Sequence, residues 1–146
     1  MRVLRVVLLT ALVAGCHFEK LFNSSGGSAA SRGSGGPPAA THLIFLTQPR
    51  QAAAGAVIAP PVRVAAEDDQ DRVVTAFSGT ISIAIGQNGS LLVGHLHGTT
   101  NVAAANGVAT FSDLSIDQPG LSDYTLVASS DALTSIESAP FKVTGP

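Results

Sequence analysis

Any chemistry in this chain has to come from two small groups of polar side chains and a single thiol. His95-Leu96-His97 sets two imidazoles two residues apart. On a strand that spacing puts both on one face, where they could chelate Zn2+ or a similar divalent ion if a third ligand joined them. His42 is the only other histidine between residues 42 and 146. The bland alternative is a polar face on an edge strand between Gly94 and Gly98. Glu67-Asp68-Asp69-Gln70-Asp71 is the only charge cluster. Asp68, Asp69 and Asp71 could offer oxygen ligands to Ca2+, although no glycine occupies the sharp-turn position of an EF-hand loop. A solvated turn is the reading these residues favour. A blue-copper centre needs a cysteine ligand, and the one cysteine, Cys16, lies far upstream of both groups.

Signs of catalysis are missing from the pattern. There is no Gly-x-Ser-x-Gly nucleophile elbow. No glycine-rich phosphate loop leads into a helix, and no helical segment is on offer to supply the dipole. Glu67 and Glu137 are the only glutamates after residue 41 and are far apart in sequence. The expectation is a protein without enzymatic activity and without a resident cofactor, Ca2+ or Zn2+ being the only ions its side chains suggest.

The thiol has a clearer reading. Arg2 and Arg5 precede an apolar stretch from Val6 to Leu12, followed by Val13-Ala14-Gly15-Cys16. A bilayer-spanning helix needs about 20 apolar residues, and the ten from Val6 to Gly15 are too few. A plain secretory signal shares the charged and apolar regions but has no need of a cysteine just after Ala14-Gly15. The segment resembles the lipobox of bacterial lipoproteins. That resemblance implies removal of residues 1–15 and a diacylglycerol thioether on Cys16, usually with a third acyl chain on the new amine. Two or more chains hold a protein firmly on a membrane without crossing it, at about 0.8 kcal/mol per buried CH2. His17, rather than Asp, follows the cysteine, which within that family favours the outer membrane. The expected location is therefore the bacterial cell envelope, on its periplasmic or surface face. A lipidated Cys16 leaves no thiol for a disulfide.

Residues 16–41 are expected to form a flexible Ser/Gly/Pro linker after the lipidated cysteine. Runs such as Ser24-Ser25-Gly26-Gly27-Ser28 and Gly33-Ser34-Gly35-Gly36-Pro37-Pro38 hold too little apolar surface to offset the entropy of ordering. A 25-residue flexible tether spans roughly 25–30 Å on average. Loss of Arg2 and Arg5 shifts the formal charge from −2 to −4, so nothing electrostatic favours a nucleic-acid partner.

The 105 residues from His42 to Pro146 suffice for one domain. Helix signals are nearly absent: Ala52-Ala53-Ala54 is cut short by Gly55 and Pro60-Pro61. Short alternating runs predict strands at His42–Thr47, Val62–Ala66, Thr80–Ile85, Ser90–Leu96, Thr100–Ala104, Val108–Leu114, Asp123–Ser129 and Phe141–Thr144. Asn106-Gly107 favours the positive φ angles of a type I′ hairpin turn and is expected to pair the strands on either side of it. Strands of this number and length without helices predict an antiparallel β-sandwich of about seven strands, a small barrel being the alternative.

The ordered set Leu46-Thr47-Gln48-Pro49, Val62-Arg63-Val64, Asn106-Gly107-Val108-Ala109-Thr110-Phe111, Leu114-Ser115-Ile116, Pro119-Gly120 and Tyr124-Thr125-Leu126 resembles the bacterial immunoglobulin-like (Big) domains of surface proteins of the invasin and intimin type. The resemblance covers nearly all of residues 42–146. It implies a single Greek-key Ig-like sandwich, with Tyr124 as the tyrosine-corner residue whose hydroxyl bonds back to nearby backbone. Leu126 stands where antibody domains place a disulfide cysteine and there is no Trp, so aliphatic packing must replace that pin. Such domains usually come in tandem and one copy is seen here, which argues against a long stalk. The implied role is structural or adhesive, with an unknown protein or polysaccharide ligand and the membrane as partners. A ligand- or metal-binding periplasmic accessory protein is the alternative. The loops Glu67–Thr75 and Gln87–Gly98 carry most of the acid and imidazole and are the expected contact regions.

Overall fold

In the computed structural model, Gly36 and residues 38–146 are described. Cys16, the expected signal segment and nearly all of the expected linker lie outside them. Residues Pro38–Pro146 form one compact unit. Ala40 already packs against the core, and the Thr41 amide donates to the Glu67 carbonyl at 2.7 Å, so the end of the expected linker runs straight into the first strand.

The described residues form eleven strands and no helix. β1 (His42–Thr47), β3 (Val62–Glu67) and β7 (Val108–Phe111) make one antiparallel layer. β6 (Asn101–Ala103), β4 (Thr80–Ile85), β9 (Leu126–Ser130) and β10 (Leu133–Glu137) make the other. A parallel contact between β1 and β10 at His42↔Thr134 joins them into the order β6-β4-β9-β10-β1-β3-β7. Two short pairs complete the fold: β2 (Ala52–Ala53) runs parallel to β11 (Val143–Thr144), and β5 (Leu96–His97) runs antiparallel to β8 (Ser115–Ile116). The result is an all-β, mostly antiparallel sandwich, with parallel contacts only at β1–β10 and β2–β11.

Alternation explains which faces meet. Leu43 and Phe45 of β1, Val62, Val64 and Ala66 of β3, and Ala109 and Phe111 of β7 face inward. Ile81 and Ile83 of β4 and Leu126 and Ala128 of β9 meet them from the other layer. All belong to one cluster of buried side chains, as expected where strand side chains alternate between core and solvent. β-Branched and aromatic residues dominate it, which suits a pleated surface.

Several expected strands are shorter or shifted, Asp123–Ser129 to Leu126–Ser130, Val108–Leu114 to Val108–Phe111 and Phe141–Thr144 to Val143–Thr144, and the structure departs further from the sequence expectations in four places. The Asn106-Gly107 turn has φ values of 52° and 79°, the positive pair of a type I′ loop. Its ladder nevertheless stops after Ala105↔Val108: β6 joins β4 and β7 joins β3, so the turn crosses between layers rather than extending a hairpin. The predicted strand over Ser90–Leu96 survives only at Leu96, in β5; residues 90–95 form a loop. There the Ser90 amide donates to Asn88 Oδ1 at 3.2 Å and the Leu92 amide to Ser90 Oγ at 3.2 Å, local bonds that compete with a ladder. β10 is absent from the sequence pattern because a register irregularity between Leu133 and Ile136 breaks the alternation. β2 and β8 are two residues each, too short for a periodic signal.

Gly107 is fixed by its surroundings as well as its φ. A Cβ there would collide with the Val74 carbonyl, and the Gly107 carbonyl accepts the Ala66 amide at 2.9 Å. Gly107→Ala should therefore destabilise the protein by more than about 1 kcal/mol, and Phe111→Ala, in the core, by about 3–5 kcal/mol. Leu91→Ala on the exposed loop should stay within about 0.5 kcal/mol. Urea denaturation followed by circular dichroism ranks the three; equal costs for Phe111→Ala and Leu91→Ala would contradict the packing described.

Candidate functional site

Two loop clusters carry the polar residues singled out by sequence, and the structure sorts them differently from the sequence. The first lies at the end of the sandwich where the chain enters β1. Asp68 immediately follows β3 and is buried. Its Oδ1 accepts the amides of Gln70 at 2.9 Å and Arg72 at 3.1 Å, and its Oδ2 accepts Arg72 Nε at 3.1 Å and Nη2 at 2.9 Å. This is a bidentate guanidinium pair combined with a loop-closing cap. Burial works to raise the Asp68 carboxyl, but the Arg72 side chain and then the Gln70 and Arg72 amides outweigh it and hold the group below its ordinary 3.8. Asp68 is thereby committed to the loop. Asp69 is exposed and belongs to no ligand group.

Asp71 takes a different course. Its φ of 57° turns the chain back over the start of β1. His42 Nε2 lies 3.7 Å from Asp71 Oδ1 and 3.6 Å from Glu67 Oε2. Of the three aspartates, then, only Asp71 meets a histidine, and like Glu67 it meets His42 rather than the His95/His97 pair.

The second cluster lies at the β5–β8 pair. His95 and His97 are both exposed. The His95 amide donates to Asp117 Oδ1 at 2.8 Å, and His97 Nε2 sits 3.5 Å from Asp117 Oδ2. Fourteen residues of chain separate Thr99 from Asp113, yet the Asp113 carboxylate accepts the Thr99 amide at 2.9 and 3.0 Å and the Thr99 hydroxyl at 2.7 Å. Asp113 and Asp117 thus brace the segment that carries the two histidines. The Thr99 backbone and side-chain donors hold Asp113 below its ordinary value. The His95 amide does the same for Asp117, against the opposing effect of burial and with help from His97. Sequence reasoning missed both aspartates, because each looks like any turn acid and its partner lies on a distant segment of the chain. Asp117 approaches His97, but among the described residues His95 and His97 do not form a group of three mutually close ligand atoms with it or any other side chain; the only such group is His42, Glu67 and Asp71.

Tyr124 closes the core next to the segment that carries His95, at the end away from His42. It is fully buried, and its hydroxyl donates to the Gln118 carbonyl at 3.1 Å, a bond to backbone six residues upstream of the kind a tyrosine corner makes. Its ring lies 6.4 Å from that of Phe141. A Cβ on Gly94 or Gly120 would press into the phenol or ring edge, so both glycines are needed for its fit. Burial pushes the phenol above its ordinary 10.0, partly offset by the Ser90 hydroxyl.

The chain matches no family model and no curated protein.

The shifts give stability a defined pH profile. Asp68, Asp113 and Asp117, lowered from 3.8 on folding, stabilise the fold above that value, and the contribution is lost as pH falls through their folded values. Tyr124, raised from 10.0, contributes fully below pH 10.0 and loses its contribution as pH climbs through its folded value. The urea midpoint should be flat between about pH 5 and pH 9 and fall on both sides. Tyr124→Phe should lower the plateau by about 1–2 kcal/mol and blunt the alkaline fall. An alkaline limb identical in Tyr124→Phe would show that the phenol does not govern it.

Proposed function

We propose that this protein is a lipid-anchored lipoprotein of the bacterial cell envelope that displays one immunoglobulin-like sandwich for non-enzymatic contact with a protein or polysaccharide ligand. The lipobox residues Val13-Ala14-Gly15-Cys16 support the anchor, with the outer membrane favoured by His17. The Tyr124-to-Gln118 bond and the parallel pairing of β2 with β11 support the immunoglobulin-like kinship. In this reading the acyl chains set the location, the linker sets the reach and the sandwich presents its loops.

The observation that carries an interaction role is a knot of exposed aliphatics. Leu91, Leu92 and Val93 are 86%, 66% and 72% exposed, and Leu121 is 80% exposed. Their loops run side by side, tied where the Ser122 amide donates to the Gly89 carbonyl at 2.9 Å and the Thr125 amide to the Gln87 carbonyl at 3.1 Å. Single exposed leucines are ordinary on protein surfaces, whereas three in succession beside a fourth mark a contact surface. Across β9 and β10, β4 starts at the same end of the sheet as β1 and runs to the opposite end, so this loop lies at the far end of the sandwich from Pro38–Thr41. An apolar tip favours a protein partner over a polysaccharide.

Two experiments test the reading. Cys16→Ser should abolish incorporation of labelled palmitate and release the protein from membranes; a variant that still takes up label and still sediments with membranes ends the lipoprotein reading. A photo-reactive phenylalanine analogue placed at Leu92 should yield a discrete adduct in intact cells, while the same group at Thr110 on β7 should not. Equal labelling from both positions, or from neither, removes the far tip as the contact surface.

A further inference from the structure

The group formed by His42, Glu67 and Asp71 stands apart from the tip and from any role for the anchor. The β1–β3 register places His42 directly opposite Glu67, and directly opposed residues on antiparallel strands bring their Cβ atoms within about 4.5–5.5 Å. The Asp68-capped turn then brings Asp71 back over the pair. The nearest nitrogen or oxygen of each of the three side chains lies within 4.8 Å of the others.

Two further observations point to a ligand. The Glu67 side chain is 9% exposed, and among the described residues its carboxylate makes no hydrogen bond; His42 Nε2 stands 3.6 Å away, beyond hydrogen-bond range. Its oxygens are left with a narrow contact to solvent and no buried orphan atom, and a cation held among the three groups would take the place of the missing donors. The imidazole is also oriented for ligation. His42 Nδ1 lies 3.1 Å from Thr41 Oγ1, while the Thr41 hydroxyl faces the Glu67 carbonyl at 3.4 Å. With its hydrogen directed there, the hydroxyl oxygen accepts from Nδ1–H, which leaves the lone pair on Nε2 facing both carboxylates. Metal-bound histidines are commonly held this way by a polar group on the other ring nitrogen.

The spacing admits an ion, and the donor set discriminates among ions. Nitrogen and oxygen ligands bonded at about 2.0–2.1 Å in a tetrahedral shell stand roughly 3.3–3.4 Å apart. The two distances from Nε2, 3.6 and 3.7 Å, need only a small contraction. One imidazole with two carboxylates is a zinc-type donor set, poorer in oxygen than the six to eight ligands Ca2+ takes. Asp71 is 89% exposed, so an ion can enter from solvent and keep water in the fourth position.

We propose that His42, Glu67 and Asp71 form a Zn2+ site that clamps the acidic loop to the start of β1. Calorimetric titration with ZnCl2 tests it on the full 146-residue chain carrying Cys16→Ser, since a free thiol would itself bind zinc. One equivalent should bind at micromolar concentration and raise the melting temperature. Removal of a single ligand should weaken binding at least about ten-fold, both in His42→Ala and in Asp71→Asn, the latter a substitution at an exposed position that leaves the core intact. His95→Ala and His97→Ala should bind as the parent does. Absence of binding up to about 1 mM Zn2+, binding that survives His42→Ala, or a preference for Ca2+ over Zn2+ overturns the proposal.

Discussion

β1 carries more of this structure than its six residues suggest. It is hydrogen-bonded on both edges, antiparallel to β3 and parallel to β10, and through it the two layers become one continuous sheet. With the only cysteine at position 16, no disulfide pins the layers together, and no tryptophan fills the space between them. Cohesion therefore rests on the burial of Leu43 and Phe45 against Val64, Ile81, Ile83 and Leu126, at about 25 cal/mol per Å2 of apolar surface removed from water. The same strand receives the chain from Thr41 and presents His42 to Glu67. Fold cohesion, the lead-in from the N-terminal segment and the candidate metal group thus share one register. A one-residue slip of β1 against β3 would turn Leu43 and Phe45 to solvent and take His42 away from Glu67.

Much of the layer structure was legible in the sequence where alternation is unbroken. His42–Thr47 and Thr80–Ile85 have the bounds that their patterns predict, and Tyr124, Leu126 and Ala128 share a buried face. Legibility ends where side-chain bonding or irregular register takes over. Ser90–Leu96 has the composition of a strand, but Asn88 and Ser90 hold its first residues in a turn and only Leu96 joins a ladder. Leu133 and Ile136 are spaced as no regular strand would space them, because the ladder shifts between them. Asn106-Gly107 specifies a turn correctly and says nothing about which sheet each arm will join.

The polar residues were legible by type and not by partnership. Sequence put Asp68, Asp69 and Asp71 in one acidic loop; folding assigns Asp68 to Arg72 and two amides, leaves Asp69 in solvent and brings Asp71 to His42. The His95/His97 spacing suggested a shared ligand role, while Asp117 ties that segment to β8 through one backbone amide and one imidazole. These pairings span two to 29 residues of sequence, and the longer ones depend on which strands lie side by side, a tertiary fact that local pattern does not encode.

The most direct test of the role assigned to β1 is native-state hydrogen exchange resolved by residue. If β1 joins the two layers, the hydrogen-bonded amides of β1 should exchange only with global unfolding, at the same free energy as those of β4 and β9. Exchange of β1 through a low-energy local opening, with β4 and β9 still fully protected, would mean that the layers hold together without it.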